Sequence, residues 1–350
     1  MYIGAFIMFW FRQDLLYAAK VFAGALAASW AVGFLSHAVL SRLKVLDVPN
    51  ARSSHATVTV RGGGVGIIAV VVAGGAAALF PPGGWLAGLL WAAVLLVAAV
   101  SFLDDRLNLP WKLRLGVQVL AAVAAAAGFC LQFGPAAGWL AAIGVVVMTG
   151  YANAFNFMDG INGIAAGQAT VTGVGTAWIA VLAGVPPDHP VVILALVVAG
   201  AAGGFLPHNF PRARMFMGDI GSVPLGFLLA ALGLWAGLLG GWLTFLCIGL
   251  LHLNFVLDTA VTMWRRLRRG ERLHEAHREH FYQRAVRGGW SHPRTTLTEM
   301  ALQLGAVGLA GWAVQRGFAA WGGAAVVTVA AWGGFFGWCE ATFRRRQAAG

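Results

Sequence analysis

Long apolar stretches recur along the whole 350-residue chain and constrain its fold more than any other feature. An α-helix needs about 17–25 mostly apolar residues to cross the hydrocarbon core of a bilayer, and backbone polar groups there must pair within their own segment. The sequence therefore predicts an all-α polytopic membrane protein with about eleven transmembrane helices. The predicted spans are 15–40, 62–81, 84–103, 115–133, 138–158, 164–184, 191–207, 220–237, 241–264, 297–316 and 320–339.

The composition agrees with a chain that uses the bilayer as its solvent. Hydrophobic residues make up 59% and charged residues 11%, so the apolar surface cannot be hidden inside a water-soluble globule. A net charge of +11 would suggest nucleic acid as a partner of a soluble protein. In a membrane protein, basic residues mostly mark cytoplasmic loops, so we expect membrane lipid and no nucleic acid among the partners. The three cysteines show no ligand spacing and no disulfide framework.

Basic residues are distributed unevenly between the two sets of connecting loops. One set, with the helix ends beside it, holds 21 of the 24 Lys and Arg residues, and loops of this kind face the cytoplasm. This predicts a periplasmic amino terminus, a cytoplasmic carboxyl terminus and a location in the bacterial inner membrane. The stretch Met1 to Phe11 lacks the basic start and cleavage site of a signal peptide, so we interpret it as an interfacial lead-in.

The polar residues with chemical potential gather on the predicted cytoplasmic side. We therefore treat residues 1–350 as a single integral membrane domain with a cytoplasmic active site. The loops expected to form that site are 41–61, 104–114, 159–163, 208–219 and 265–296.

Two adjacent acids, Asp104 and Asp105, directly follow an apolar run. Burying either charge in the middle of the bilayer would cost about 2.5–3.5 kcal/mol on insertion scales, so we place them at the cytoplasmic mouth. Neighbouring carboxylates repel each other, and a divalent cation would relieve that repulsion. The alternative is a solvated loop start in which an Asp caps a short helix.

Amide and acid side chains are dense in the stretch YANAFNFMDGINGIAAGQ. Asn153, Asn156, Asp159 and Asn162 recur every three residues, which keeps neighbouring members on one side of a helix. Each buried and unpaired amide would cost about 1–3 kcal/mol, so these groups need partners. Hydrogen bonding between helices is one explanation, and ligand binding is the other.

The loop PRARMFMGDIGS contains a single acid, Asp219, between two glycines. Glycine beside an acid allows the backbone to approach a ligand or metal closely. Magnesium favours carboxylates together with substrate phosphates. An ordinary turn with Asp219 as a helix N-cap remains the alternative.

Two further cytoplasmic segments are rich in basic side chains. The first inner loop contains Arg52, His55 and Arg61 before three glycines; these side chains are candidates for binding phosphate, although the glycines also suit close helix packing. The segment 265–294 contains nine arginines, which suit anionic head groups or diphosphates. His274, His277 and His280 lie within it and do not form a zinc motif, which favours hydrogen bonding to phosphate oxygens over the alternative of metal ligation. Asp258 is either a functional acid or the partner of a neighbouring helix.

Taken in order, these motifs resemble the polyprenyl-phosphate N-acetylhexosamine-1-phosphate transferase family. The resemblance rests on DVPNARSSHxxxxxRGGG, FLDDR, NAFNFMDGINGIAAG, RARMFMGDIGS and HREHFYQR, and it extends from Asp47 to Arg284. It implies transfer of a sugar-1-phosphate from a UDP-N-acetylhexosamine to undecaprenyl or another polyprenyl phosphate, with release of UMP and with Mg²⁺ or Mn²⁺ as cofactor.

The resemblance also implies roles for single residues. Asp219 resembles the magnesium-binding acid, with Asn156 as a second ligand, and the pair Asp104 and Asp105 resembles the essential acids near the lipid phosphate. The other implied roles belong to the nucleotide-side residues Asn156, Asp159, Asn162 and Phe216 and to the phosphate-binding residues Arg52, His55, Arg61, His277, Arg278 and His280. One-step transfer and a covalent aspartyl-phosphate route both stay open.

Two departures from the family pattern bear on the donor. The sequence reads RSSH at 52–55, and its histidine segment is HREH without a triple histidine. Both differences point away from a muramyl-pentapeptide donor and towards enzymes that start O-antigen or other surface polysaccharides. A transporter and a non-catalytic lipid-phosphate-binding protein are the alternative functions, and a homodimer is left open.

Overall fold

The computed structural model describes residues 2–49, 57–79, 84–134, 137–275 and 277–349. These residues form thirteen helices and one short hairpin, which confirms the prediction of an all-α polytopic membrane protein. The helices are α1 Tyr2–Arg42, α2 Gly64–Leu79, α3 Gly84–Leu107, α4 Trp111–Phe133, α5 Gly138–Met158, α6 Ile164–Leu182, α7 Pro190–Asn209, α8 Asp219–Gly240, α9 Trp242–Leu250, α10 Leu253–Arg268, α11 Phe281–Arg287, α12 His292–Val314 and α13 Phe318–Ala349. The strands are β1 Leu46–Asp47 and β2 Thr59–Val60.

Every predicted span corresponds to a helix or a pair of helices, but the lengths differ. Within the described part of the chain, eight helices are long and apolar enough to cross a membrane. The helices α2 and α5 are apolar over shorter stretches, and α9 with α10 forms a bent pair. Helix α1 begins at Tyr2, so the stretch expected as a separate lead-in continues the helix instead.

The predicted span 241–264 is broken, because α9 and α10 meet at an angle of 68°. A break inside an apolar protein frees backbone groups that need new partners. Side chains of neighbouring helices supply them: the Leu251 carbonyl accepts hydrogen bonds from Gln168 Nε2 at 3.0 Å and from Gln303 Nε2 at 3.5 Å. Gln168 also exchanges two hydrogen bonds with Asn254 on α10. The buried amides therefore stabilise the bend.

Helices α6, α7 and α8 form the most buried part of the bundle, and α1 packs closely against α7. Gly200 and Gly204 face the Phe22 and Leu26 carbonyls, where any side chain would collide with the α1 backbone. Small residues that let two backbones approach are typical of helix packing in membranes, where apolar lipid weakens the hydrophobic drive.

Two segments that are distant in sequence are joined by backbone hydrogen bonds. Strand β2 pairs with β1 in an antiparallel ladder and, at Val60, forms a parallel bridge with Met215. The Phe216 amide donates to the Val60 carbonyl at 2.8 Å, and the Gly63 amide donates to the Phe216 carbonyl at 2.9 Å. This ladder places Arg61, just after β2, beside the start of α8.

Candidate active site

The acidic pair lies inside the last turns of α3, where both side chains are buried. Consecutive residues of a helix point about 100° apart, so the two carboxylates face different partners. Asp105 accepts hydrogen bonds from the backbone amides of Asp219 and Ile220, at 3.1 and 3.0 Å, and pairs with Arg61 at 2.8 Å. Asp105 therefore caps the amino terminus of α8, where the helix dipole favours negative charge.

Asp219, the first residue of α8, has partners at both carboxylate oxygens. Its Oδ1 lies 3.0 Å from Arg61 Nη2, and its Oδ2 accepts a hydrogen bond from Asn156 Nδ2 at 3.3 Å. The hydroxyl of Ser222, one turn further along α8, donates to Asn156 Oδ1 at 2.6 Å and so orients that amide. The N-cap of α8 is Gly218, so the expected alternative with Asp219 as N-cap does not apply.

Asp104 faces α4, where Arg114 is its partner. Arg114 Nη1 lies 2.5 Å from Asp104 Oδ2 and 3.8 Å from Asp219 Oδ2, so this guanidinium bridges the two acids. From the sequence, Arg114 is only one of the basic residues that indicate the cytoplasmic side. The sequence contained one indication that this face of α4 meets the site. Gln118 lies four residues after Arg114 on the same helix face, and Gln118 accepts a hydrogen bond from Asn153 at 2.6 Å.

The charges in this cluster act on one another. Burial and the negative charges of Asp219 and Asp105, opposed by Arg61, together raise the pKa of Asp159 to about 7. Burial lowers the pKa of Arg61, but its attraction to Asp219 and Asp105 outweighs burial and leaves the pKa raised. The site therefore has an excess of negative charge that a bound cation would stabilise.

A cavity of about 460 Å³ opens beside these residues. Asp104, Arg114, Asn156 and Asp219 line it together with a few other polar side chains and with apolar side chains of α3, α4, α8 and α10. Its edge includes His274, whose ring stacks on Trp111 with the ring centroids 5.4 Å apart. The lining of the cavity thus combines charged side chains with apolar ones.

Asn162 and Phe216 connect the loops around the site. Asn162 Nδ2 donates to the Pro211 carbonyl at 3.0 Å, and the backbone carbonyl of Asn162 accepts from the Thr296 hydroxyl at 2.8 Å. Phe216 is partly buried and joins β2 through its backbone. The structure thus gives Asn162 and the Phe216 backbone a part in loop packing, and their expected nucleotide contacts stay predictions.

The histidine segment is held by a buried acid. Asp258 on α10 accepts from the Phe281 amide at 2.8 Å and lies 2.8 Å from His280 Nδ1. Asp258 therefore pairs within the fold, as the second of the two interpretations expected. His280 is buried and stacks near Phe157, which lines the cavity.

His277 lies beside His280, with the ring centroids 4.8 Å apart. Burial and, to a smaller extent, the neighbouring His280 and Arg266 lower the pKa of His277 to about 4. Its Nδ1 accepts a hydrogen bond from the Glu279 amide at 3.3 Å. The ring is therefore neutral and carries its proton at Nε2, where it can donate to a ligand.

Several arginines of the segment 265–294 bind the chain itself, which differs from the expectation that they serve anionic ligands. Arg266 is buried and donates to the carbonyls of Arg272 and Glu275 at 2.9 and 3.1 Å. Arg287 donates to the Arg278 carbonyl at 3.0 Å. A loop with many unpaired carbonyls needs donors, and arginine supplies five N–H groups in one side chain.

The structure thus brings Asp104, Asp105, Asn156, Asp219 and Arg61 into one cluster. Arg52 and His55 lie outside the described residues. No group of three His, Cys, Asp or Glu side chains in the described ranges is arranged to hold a metal ion. A magnesium site of one or two carboxylates completed by substrate phosphates does not require such a group.

Comparison with known proteins identifies the family. Residues 87–237 match the family model described as Glycosyl transferase family 4. A phospho-N-acetylmuramoyl-pentapeptide-transferase of Desulforudis audaxviator is 34% identical over 269 residues, which cover 66% of this chain and 78% of that protein. The chain belongs to glycosyl transferase family 4.

Other members of the family share most of their length with this one. The decaprenyl-phosphate N-acetylglucosaminephosphotransferase of Mycobacterium leprae is 28% identical over 317 residues, covering 77% of this chain and 76% of the relative. A probable undecaprenyl-phosphate N-acetylglucosaminyl 1-phosphate transferase of Bacillus subtilis is 29% identical over 268 residues, covering 73% and 74%. The site described above thus lies in a glycosyl transferase family 4 fold.

Proposed function

We propose that this family member transfers an N-acetylhexosamine-1-phosphate from a UDP-sugar to polyprenyl phosphate. The products are a polyprenyl-diphosphate sugar and UMP. The named relatives act on decaprenyl or undecaprenyl phosphate, and we propose undecaprenyl phosphate as the acceptor at the cytoplasmic face of the inner membrane.

The cavity carries this proposal, because its lining combines charged and apolar side chains. Asp104 and Arg114 line the cavity, and so do the apolar side chains of Val97, Val100 and Val223. A lipid phosphate has the same division, with a charged head group and a long apolar chain. An apolar wall stabilises the chain by about 25 cal/mol for each Å² removed from water, and Arg114 offsets the charge of the phosphate.

The side chains present fit a magnesium ion held between protein and substrate. Asp219 and Asn156 offer oxygen ligands, and the pKa of Asp159 is raised first by burial and then by the negative charges of Asp219 and Asp105, which a cation would offset. When bound, the cation would neutralise phosphate oxygens and so reduce the repulsion between the two substrates. We propose Asp219 and Asn156 as its protein ligands.

The protein residues have separate tasks in the proposed reaction. Asp104 orients the lipid phosphate or removes its proton, so that one phosphate oxygen can attack the β-phosphorus of the donor. A new phosphorus–oxygen bond forms to the lipid, the diphosphate bond breaks, and UMP leaves with the bond's electron pair. Arg61 and Arg114 offset the charge that gathers as two anions approach. The neutral ring of His277 donates a hydrogen bond to a donor phosphate oxygen.

The biological role and the donor form a narrower proposal. The RSSH segment at 52–55 and the HREH segment at 277–280 support the start of O-antigen or another surface polysaccharide. UDP-N-acetylfucosamine and UDP-N-acetylquinovosamine are the donors that we propose first. UDP-N-acetylglucosamine is the alternative, because the mycobacterial and Bacillus relatives are named for N-acetylglucosamine.

The test is UMP release by purified protein in detergent with undecaprenyl phosphate, magnesium and a panel of UDP-N-acetylsugars. We expect release that requires both the lipid and the cation and that falls about 10²–10⁴-fold in Asp104→Asn. UMP release by Asp219→Asn should fall as far. Asp188→Asn, an exposed acid on the opposite side of the bundle, is the matched control.

Failure to release UMP with every donor, from protein that is folded, would contradict the proposal. It would leave a transporter or a non-catalytic protein that binds lipid phosphate. Retained binding of undecaprenyl phosphate without turnover would then favour the second.

A further inference from the structure

Helix α13 is longer than a membrane crossing requires. Its 32 residues span about 48 Å at 1.5 Å per residue, whereas the hydrocarbon core is about 30 Å thick. Its carboxyl-terminal turns therefore extend beyond the core on the side where α11 lies, and they pack against α11. Phe336 of α13 stacks on Phe281 of α11, with the ring centroids 4.4 Å apart.

One acid in these turns, Glu340, binds three arginines. Its Oε2 accepts hydrogen bonds from Arg265 of α10 at 3.1 Å and from Arg284 of α11 at 2.8 Å. Its Oε1 accepts from Arg344, one turn later on α13, at 2.7 Å. The side chains of Glu340 and Arg284 are 15% and 12% exposed, so this pair is screened less than a surface ion pair.

Arg284 extends the contact into the histidine segment. Its Nε donates to the Glu279 carbonyl at 2.9 Å, and its Nη2 lies 3.4 Å from the Glu279 carboxylate. Glu279 directly precedes His280, and its amide donates to His277 Nδ1. A chain of charge-assisted hydrogen bonds therefore runs from α13 to the backbone that sets the orientation of His277.

The aromatic and charged contacts have different consequences. Stacking of Phe281 on Phe336 holds α11 against α13, but it does not determine the path of the backbone before α11. Arg284 bonds to that backbone directly, and its planar guanidinium is directed by the two acids that it contacts.

We propose that Glu340 is a positioning residue, which acts through Arg284 to hold residues 277–280 in the conformation that binds the donor phosphates. The inference rests on the proposed function for its effect on the donor. It assigns to the last helix a task in a site that lies outside that helix.

The test compares Glu340→Gln with Arg344→Gln, which removes only the exposed partner. We expect Glu340→Gln to raise the KM for the UDP-sugar about tenfold, within the range of effects of residues that act through others, and to change kcat by less than about twofold. Glu340→Asp, which keeps the charge, should restore part of the affinity, and Arg344→Gln should match the unsubstituted protein. Arg284→Gln alone should raise KM at least as far, because it breaks the contact to Glu340 and also the contacts to Glu279.

Hydrogen exchange supplies a readout that does not depend on turnover. Backbone amides of residues 277–284 should exchange faster in Glu340→Gln than in Arg344→Gln, while amides of α8 stay unchanged. If the unsubstituted protein releases no UMP, the proposed function fails and the exchange experiment still decides whether Glu340 orders this segment. Unchanged exchange together with an unchanged KM would overturn the proposal, as would a loss of kcat and thermal stability at a constant KM.

Discussion

Asp105 offers the sharpest test of the arrangement, because its carboxylate accepts hydrogen bonds from the first two amides of α8. Asp105→Ala leaves both amides without this acceptor, and a buried unsatisfied donor costs about 1–3 kcal/mol. Arg61 keeps Asp219 as a partner, so its charge is not left unpaired. We therefore expect a loss in the free energy of unfolding of about 2–4 kcal/mol, near the sum for two amides that water can partly reach.

Asp105→Asn separates the capping role from a chemical one. Asparagine is as good a cap as aspartate, so its amide oxygen can still accept one of the two hydrogen bonds. We expect it to lose roughly half as much stability as Asp105→Ala, about 1–2 kcal/mol. An acid that transfers a proton would tolerate neither substitution.

The assay is the unfolding temperature of detergent-purified protein together with UMP release by the same samples. A loss of 1 kcal/mol lowers Tm by about 2–4 °C in domains of 150–250 residues, so Asp105→Ala should unfold several degrees below the control Asp188→Asn. The reasoning is refuted if Asp105→Ala keeps the unsubstituted Tm and still abolishes UMP release. That result would show that Asp105 acts on the substrate.

Three further predictions follow from the same contacts. Arg114→Gln removes the partner of Asp104 and should raise the KM for undecaprenyl phosphate about tenfold, because hydrogen bonds to charged groups contribute about 1.5–3 kcal/mol. A titration with the lipid that gives an unchanged KM would contradict this prediction. Asp159 gains its negative charge as pH rises through about 7, so Mn²⁺ affinity measured by electron paramagnetic resonance should increase from pH 6 to pH 8. The increase should flatten in Asp159→Asn, and an equally steep increase there would assign the titration to another group. Asp258→Ala leaves His280 and the α11 amides without their acceptor and should lower the free energy of unfolding by about 3–5 kcal/mol. An unchanged Tm would refute the role of Asp258 in holding the histidine segment.

The sequence singled out the acids that the structure brings together, but it did not predict the contacts that each of them makes. Asp104, Asp105 and Asp219 are exceptional in an apolar chain, because charge is expensive near a bilayer and persists where it has a partner. Which partner each acid takes depends on helix rotation and on helices distant in sequence. Arg114 shows the limit, because a basic residue at a cytoplasmic helix end is expected whether or not it reaches an acid.

The bend between α9 and α10 could not be predicted from the sequence for a related reason. The stretch 241–264 contains enough apolar residues for one straight crossing, and hydropathy reports composition and length only. Gln168 of α6 and Gln303 of α12 provide the donors that the Leu251 carbonyl needs at the break. Only the packing of α6 and α12 against the break shows that the freed backbone carbonyl has hydrogen-bond partners.

The sequence by itself determined that this chain lies in a membrane, that its polar residues gather on one side, and that its ordered motifs match glycosyl transferase family 4. These properties depend on the solvation of residues one by one and on their order along the chain. The tertiary structure alone decided that Asp105 caps α8 while Asp104 faces a cavity, and that Glu340 reaches the histidine segment through Arg284. Such contacts join residues far apart in sequence, and their directions follow from how whole helices pack.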